Sequence, residues 1–240
     1  MSGDDTQGHN SSIERTATGK PVSATHVKRW ADPRGNMRIS VILAHPDTGS
    51  FNHAVAKTAV RELRRAGHTV SFHDLYEEGF DPVLPAIEIP AGAALSLPIM
   101  AHCQEIAAAE GIVIVHPNWW GQPPAILKGW IDRVIRPGVA YSFLEGDSGA
   151  GVPVGLLRAK TAIVINTSNT PAEREQTAFG DPLELIWRNC VFGLCGVDDF
   201  HREVFGVVVT STEEQRNEWL DRVSGLVARC FPATASCVKE

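Results

Sequence analysis

Three short stretches carry the residue types that could do chemistry in this chain. The first is His45-Pro-Asp-Thr-Gly-Ser-Phe-Asn52, in which Thr48, Ser50 and Asn52 offer neutral donors and Gly49 permits close backbone approach. At the start of a helix, such a loop adds unpaired N–H groups and the helix dipole, a setting that suits a phosphate or pyrophosphate. Ser50 or Asn52 acting only as a helix cap explains the same residues. The second stretch, His116-Pro-Asn-Trp-Trp-Gly-Gln-Pro-Pro124, sets Trp119 and Trp120 on a proline-braced loop beginning at Pro117 and Asn118. Rigidly held aromatics of this kind form a wall for a flat heteroaromatic ring. The other reading has one tryptophan in the core and its neighbour on the surface. The third stretch, Asn166-Thr-Ser-Asn-Thr170, supplies small polar donors at Thr167, Ser168, Asn169 and Thr170. Donors of this kind could hold the carbonyl oxygens and nitrogens of such a ring and stabilise negative charge that develops there. A Ser/Thr turn without a ligand accounts for them equally.

Each stretch follows an apolar run of strand length. Ile39, Val41, Ile42 and Leu43 precede the first, residues 111–116 the second and residues 161–166 the third. Such short buried runs suit a parallel sheet. Further strands are expected over residues 69–73 and 204–209. Between them, Val55, Ala56, Ala59, Val60 and Leu63 form one stripe of a helix over residues 52–66, stopped by Gly67. Ile126, Leu127, Trp130, Ile131 and Val134 form another stripe over residues 124–134, with Pro124 in the first turn and Trp130 a structural residue. Residues 94–110, 182–192 and 212–229 complete the helices, and residues 75–90 read as a proline-rich loop. Strands alternating with helices give an α/β fold: a doubly wound five-stranded parallel sheet, with helices on both faces and a flavodoxin-like order 2-1-3-4-5. Ligands then sit beyond the carboxyl ends of the strands, where the winding reverses between the first and third.

Residues 1–36 are polar and without apolar periodicity, so they read as a flexible extension before a domain over 37–232 and a tail at 233–240. A formal charge of −6, with 22 Lys and Arg spread along 240 residues, argues against a nucleic-acid partner and for a small molecule. Cys103, Cys190, Cys195, Cys230 and Cys237 are odd in number and contain no C-x-x-C pair, which points to reduced, mostly buried thiols. With no apolar run long enough to span a bilayer and no basic-then-apolar start, a cytoplasmic protein is expected.

Several chemistries lack their motif. Neither G-x-G-x-x-G nor G-x-x-x-x-G-K-[ST] occurs, so the usual dinucleotide and Walker loops are excluded. His45 and His116, at neighbouring strand ends, could share a metal with Asp47 or His53, which keeps a zinc-dependent hydrolase as a third reading. Ala44-His-Pro-Asp47 is also similar to the start of the zinc-dependent sugar de-N-acetylases, but Thr48 stands where a further acidic residue is needed and no H-x-x-H follows. A Ser-His-Asp hydrolase has no G-x-S-x-G elbow here.

Taken together, Ala44-His-Pro46 with Ser50-Phe-Asn52, Asp74-Leu-Tyr76, Trp120, Pro124-Ala-Ile-Leu-Lys-Gly-Trp130, Ala140-Tyr-Ser-Phe143 and Gly180-Asp181 resemble the NAD(P)H:quinone oxidoreductases of the flavodoxin-like superfamily. The resemblance implies a flavin-dependent, two-electron reductase that takes hydride from NAD(P)H and passes it to a quinone or related small electrophile. Carried over, His45, Ser50, Phe51 and Asn52 would bind the flavin's phosphate end, the loop from Pro117 to Trp120 its ring edge, and Thr167 to Thr170 its pyrimidine edge. Tyr141 and Phe143 would join the substrate pocket, across a homodimer interface. FAD is the implied cofactor, since Ser-Phe-Asn resembles the FAD-using members, with FMN as the other candidate. One departure stands out: family members carry a Tyr and, six residues on, a His that stabilise the reduced flavin, and here those positions are Glu173 and Phe179. That substitution motivates an alternative, a non-catalytic flavin- or nucleotide-binding regulatory subunit.

Overall fold

Five parallel strands form one sheet, built around the buried run that the sequence places at residues 111–116. The computed structural model describes residues 35–144, 151 and 153–233. The expected extension up to residue 34, the tail from residue 234 and Cys237 lie outside the described residues. In chain order the elements are β1 (Arg38–Leu43), α1 (Phe51–Arg65), β2 (Thr69–Asp74), α2 (Leu97–Ala108), β3 (Gly111–Pro117) and α3 (Ala125–Val134). There follow β4 (Tyr141–Ser142), β5 (Val154–Gly155), β6 (Thr161–Ser168), α4 (Ala172–Arg174), α5 (Pro182–Leu185), β7 (Asp199–Gly206) and α6 (Glu213–Cys230). The sheet order is β2-β1-β3-β6-β7, the expected 2-1-3-4-5 with the small antiparallel pair β4–β5 inserted before the fourth strand.

Side chains of β3 alternate between two cores, as a pleated strand buried on both faces requires. Ile112 and Ile114 join Leu127, Trp130 and Trp187 on one side. Val113 and Val115 join Val55, Leu63 and Val223 beneath α1 and α6 on the other. Helix starts follow local capping chemistry: Ser50 caps α1, and Thr212 with Gln215 forms a complete capping box on α6. Gly129 has no room for a side chain, because a Cβ there would lie 2.2 Å from the carbonyl oxygen of Pro82. The proline-rich loop therefore packs directly on α3, and Arg133 clamps it further through a buried two-pronged pair with Glu88, at 3.0 and 2.7 Å.

Several boundaries differ from expectation. The last strand spans Asp199–Gly206, not 204–209, and carries polar residues because it is an edge strand with one side open. Strand β6 continues to Ser168, paired with Pro117 through Thr167 and with Gly206 through Ser168, so two residues read as loop belong to the ladder. Pro117 ends β3 inside that ladder instead of stopping it. The helix expected over 182–192 is α5 followed by a wider π-type turn over Ile186–Gly193. The helix expected over 94–110 is shorter, Leu97–Ala108. Of the four described cysteines, Cys103 and Cys195 are buried, Cys230 is half-buried and Cys190 is exposed.

A charged network pins the edge strand β2 to α2. His73 lies 2.7 Å from Glu78 through Nδ1 and 2.7 Å from Glu105 through Nε2. Burial pulls its pKa down, but the bonds and charges of Glu105 and Glu78 more than offset this and raise it to about 9. His102 faces Glu78 through Nε2 at 3.4 Å. Its Nδ1 accepts the Trp130 indole N–H at 3.4 Å, which leaves the ring proton on Nε2, facing Glu78. His73, Glu78 and His102 gather ligand-type atoms within 4.8 Å of one another, and hydrogen bonds already engage the ring nitrogens of His73.

Because the His73 pKa is raised on folding, its contribution to stability is complete below its unfolded value of 6.5 and is lost as pH rises through about 9. Urea titrations across this window are expected to show a falling midpoint in the native protein and a flatter profile in His73→Gln.

Candidate functional site

The carboxyl ends of β1, β3 and β6 open on a cavity of about 340 Å³. The loop after β1 supplies His45, Ser50, Phe51 and Asn52 to its wall, and the loop after β3 supplies Pro117, Asn118 and Trp119. Thr167, Ser168, Asn169 and Thr170 close the third side. Val208 and Val209, in the turn after β7, also line it. They escaped sequence reasoning because that run was read as strand interior; Asn169, whose Oδ1 accepts the Val209 N–H at 3.0 Å, ties the two turns together.

Direct bonds between the loops hold the cavity's shape. Asn52 Nδ2 donates to Thr167 Oγ1 at 2.9 Å across the strand ends, and both residues are buried. Asn118 N donates to Thr167 O at 2.7 Å. Ser50 starts α1, so the first-turn amides that a helix leaves without internal partners belong to Phe51 and its neighbours at the cavity wall. Behind Ser50, its Oγ lies 3.0 Å from His53 Nδ1, and His53 Nε2 lies 2.8 Å from Asp74 at the end of β2. His45 accepts the Asp47 N–H on Nδ1 at 3.1 Å, and burial lowers its pKa. Among the described residues, no lysine or arginine lines this cavity.

The two adjacent tryptophans separate. Trp119 and Gln122 exchange backbone hydrogen bonds of 3.1 and 3.0 Å around a tight turn, and both central residues, Trp120 and Gly121, have positive φ of 59° and 69°. A turn of this hand throws the Trp120 ring clear of the first cavity, leaving it 100% exposed, so the expected aromatic wall is Trp119 alone. Trp120 instead borders a second cavity of about 480 Å³ with Phe179, Glu175 and Pro182. Asn118 and Thr170 line both cavities, so the two adjoin. Glu173 sits on α4, exposed, and lines neither. Tyr141 and Phe143, at the β4–β5 pair, also reach neither.

His116 and His45 do not form a metal pair. The His116 ring is fully buried; its Nδ1 donates to Pro117 O at 2.8 Å and its Nε2 accepts the Trp187 indole N–H at 2.9 Å. Asn166 Nδ2 also approaches Nε2 at 2.9 Å, while Asn166 Oδ1 accepts from Arg202 Nε at 2.7 Å. Arg202 continues to Asp181 at 2.6 Å. With both nitrogens engaged, burial holds His116 neutral, its pKa pushed down to about 4. The zinc-dependent reading loses its second histidine, and His116 serves instead to brace β3 against β6 and the helical segment carrying Trp187.

An open α/β sheet of this strand order, with its cavity at the switch point, defines a flavodoxin-like fold. Residues 37–226 match the Flavodoxin_2 family, described as a flavodoxin-like fold, and the chain belongs to that family. Among curated relatives, an uncharacterized NAD(P)H oxidoreductase of Haemophilus influenzae is 31% identical over 185 residues, covering 75% of this chain and 89% of its own. The ribosyldihydronicotinamide dehydrogenase [quinone] of Mus musculus is 27% identical over 216 residues, covering 79% and 91%. Among solved structures, the NAD(P)H:quinone oxidoreductase from Methanothermobacter marburgensis has a TM-score of 0.66 at 26% identity, covering 80% of this chain and 96% of that one. The chain is therefore an enzyme of the NAD(P)H dehydrogenase (quinone)-like oxidoreductases.

The Trp187→Phe variant removes one donor from a fully buried acceptor. Because Asn166 Nδ2 still reaches that acceptor, the lost bond is expected to lower unfolding free energy by about 0.5–1.5 kcal/mol, read by chemical denaturation.

Proposed function

We propose that the protein is a flavin-dependent NAD(P)H oxidoreductase that passes two electrons to quinones or related small electrophiles. The observation carrying this reading is one cavity lined jointly by a helix start, an aromatic wall and a polar strand end. A volume of about 340 Å³ lies within the usual range for cofactor sites of about 300–1,000 Å³. Ser50 and the first-turn amides of α1 suit the phosphate end, Trp119 suits a face or edge of a flat ring, and Thr167 to Thr170 suit a pyrimidine edge. When bound, a flavin would supply the hydride-accepting and hydride-donating chemistry, and the protein's share is placement and electrostatics. FAD is the favoured cofactor on the Ser50-Phe51-Asn52 resemblance, with FMN the alternative.

The adjoining cavity beside Trp120 and Phe179 suits the nicotinamide and the acceptor in turn, because both are flat and partly apolar. Phe179, at the position of the family's histidine, brings apolar surface and no proton donor. Glu173 is exposed and lines neither cavity, so stabilisation of charge on a reduced ring falls to backbone and hydroxyl donors of the third loop. A homodimer is part of this reading, since a second copy is the means by which Tyr141 and Phe143 would complete the acceptor pocket.

The purified protein is expected to be yellow, to release FAD or FMN on denaturation, and to oxidise NAD(P)H with a simple quinone. Protein that stays colourless after incubation with both flavins would overturn the proposal. Flavin uptake without turnover on any quinone would instead favour a regulatory subunit.

A further inference from the structure

The anion end of the first cavity lacks a fixed positive charge. Among the described residues its lining holds no lysine or arginine, so from these residues a bound phosphate would meet the helix dipole, neutral donors and whatever charge an imidazole can provide. Two imidazoles are near. His45 lines the cavity, and His53 stands directly behind Ser50 with its ring centroid 6.3 Å from that of His45. Both His53 and Asp74 are buried, at 4% and 5% exposure. Among the described residues, the titratable groups facing His53 are Asp74 at the end of β2 and His45 in the loop after β1, and Asp47 acts on His45. Asp47 Oδ1 is turned into its own loop, where it accepts the Gly49 N–H at 2.9 Å.

The order of contacts sets the direction of the Ser50 hydroxyl. Asp74 Oδ2 sits 2.8 Å from His53 Nε2, and a carboxylate only accepts, so Nε2 carries a proton in every state of the ring. The state of Nδ1, 3.0 Å from Ser50 Oγ, then decides everything downstream. With neutral His53, Nδ1 is a bare acceptor and draws in the Ser50 proton, which leaves oxygen lone pairs toward the cavity. With the imidazolium, Nδ1 donates to Ser50 Oγ and the hydroxyl proton is free to point at an anion.

We propose that His53, backed by Asp74, is the proton-sensitive positioning residue of the phosphate end: the anion of the cofactor binds with uptake of one proton from solvent at His53 Nδ1, which turns the Ser50 hydroxyl outward. This inference rests on the flavin reading above and adds a linked proton to it. The proton adds to Nδ1, the Ser50 O–H bond rotates without breaking, and no other bond changes.

The test is flavin affinity against pH, by fluorescence titration with FMN, FAD and riboflavin, the last carrying no phosphate. Above the second phosphate pKa of about 6, affinity for the phosphorylated flavin that the protein takes up is expected to fall as pH rises. The linked proton limits that fall to about tenfold per unit, and riboflavin affinity stays flat. Calorimetry in two buffers of different ionisation enthalpy should count uptake of up to about one proton. In His53→Asn no titratable ring stands behind Ser50, so the profile flattens, whereas His45→Gln retains it. Should His53→Asn fail to fold, Asp74→Asn serves: losing the carboxylate that favours the imidazolium moves the fall to lower pH. A fall that persists in His53→Asn, that vanishes in His45→Gln, or that riboflavin shares overturns the inference. Absence of binding by all three flavins overturns the flavin reading and this inference with it, while binding with a flat profile overturns this inference alone.

Discussion

Parallel pairing of β1, β3 and β6 is the constraint on which the site depends. Because neighbouring strands run the same way in matched register, their carboxyl ends arrive together, and each end hands the chain to a loop on the same edge. The ladder reaches as far as Pro117 opposite Thr167, which brings two of the loops into direct contact before either leaves the sheet. What keeps those ends aligned is a buried polar chain, Trp187 to His116 to Asn166 to Arg202 to Asp181, whose members lie on β3, β6, β7 and the helical segment between them. Such a network in a low-dielectric interior is effective where its members are paired, as neutral His116 is on both ring nitrogens, while at its far end Asp181 pairs with Arg202 through Oδ2 alone.

The cavity built on this frame is polar without being charged. A site of that kind discriminates by aimed donors and by the shape of its aromatic wall more than by long-range attraction, and it leaves electrostatic tuning to the helix end and to the histidines beside it. The departure at Glu173 and Phe179 fits the same pattern. Phe179 adds apolar surface to the second cavity beside Glu175, while Glu173, exposed on α4, lines neither cavity.

Much of the frame was legible from local pattern. The stripes Val55-Ala56-Ala59-Val60-Leu63 and Ile126-Leu127-Trp130 became buried helix faces because helical periodicity is a property of near neighbours. The three loop stretches landed on one cavity because the order of a doubly wound sheet leaves few alternatives. The edge strand was displaced in the reading because Asp199, His201, Arg202 and Glu203 look like loop residues, and only pairing with β6 reveals them as a strand. Gly129 is another such case: nothing local explains a glycine in the middle of α3 until the Pro82 loop is found lying on it.

By itself, then, the sequence determined most of the succession of strands and helices, the helix start at Ser50, and the three polar stretches that follow strands, since each depends on residues only a few positions apart. The tertiary structure alone decided that Trp119 faces the cavity while Trp120 turns away, that His116 is a sealed brace and no ligand to a metal, and that Ser50, His53 and Asp74 stand in line. Those outcomes depend on the hand of one turn, on strand register and on which side chains meet across the sheet, and no spacing along the chain encodes them.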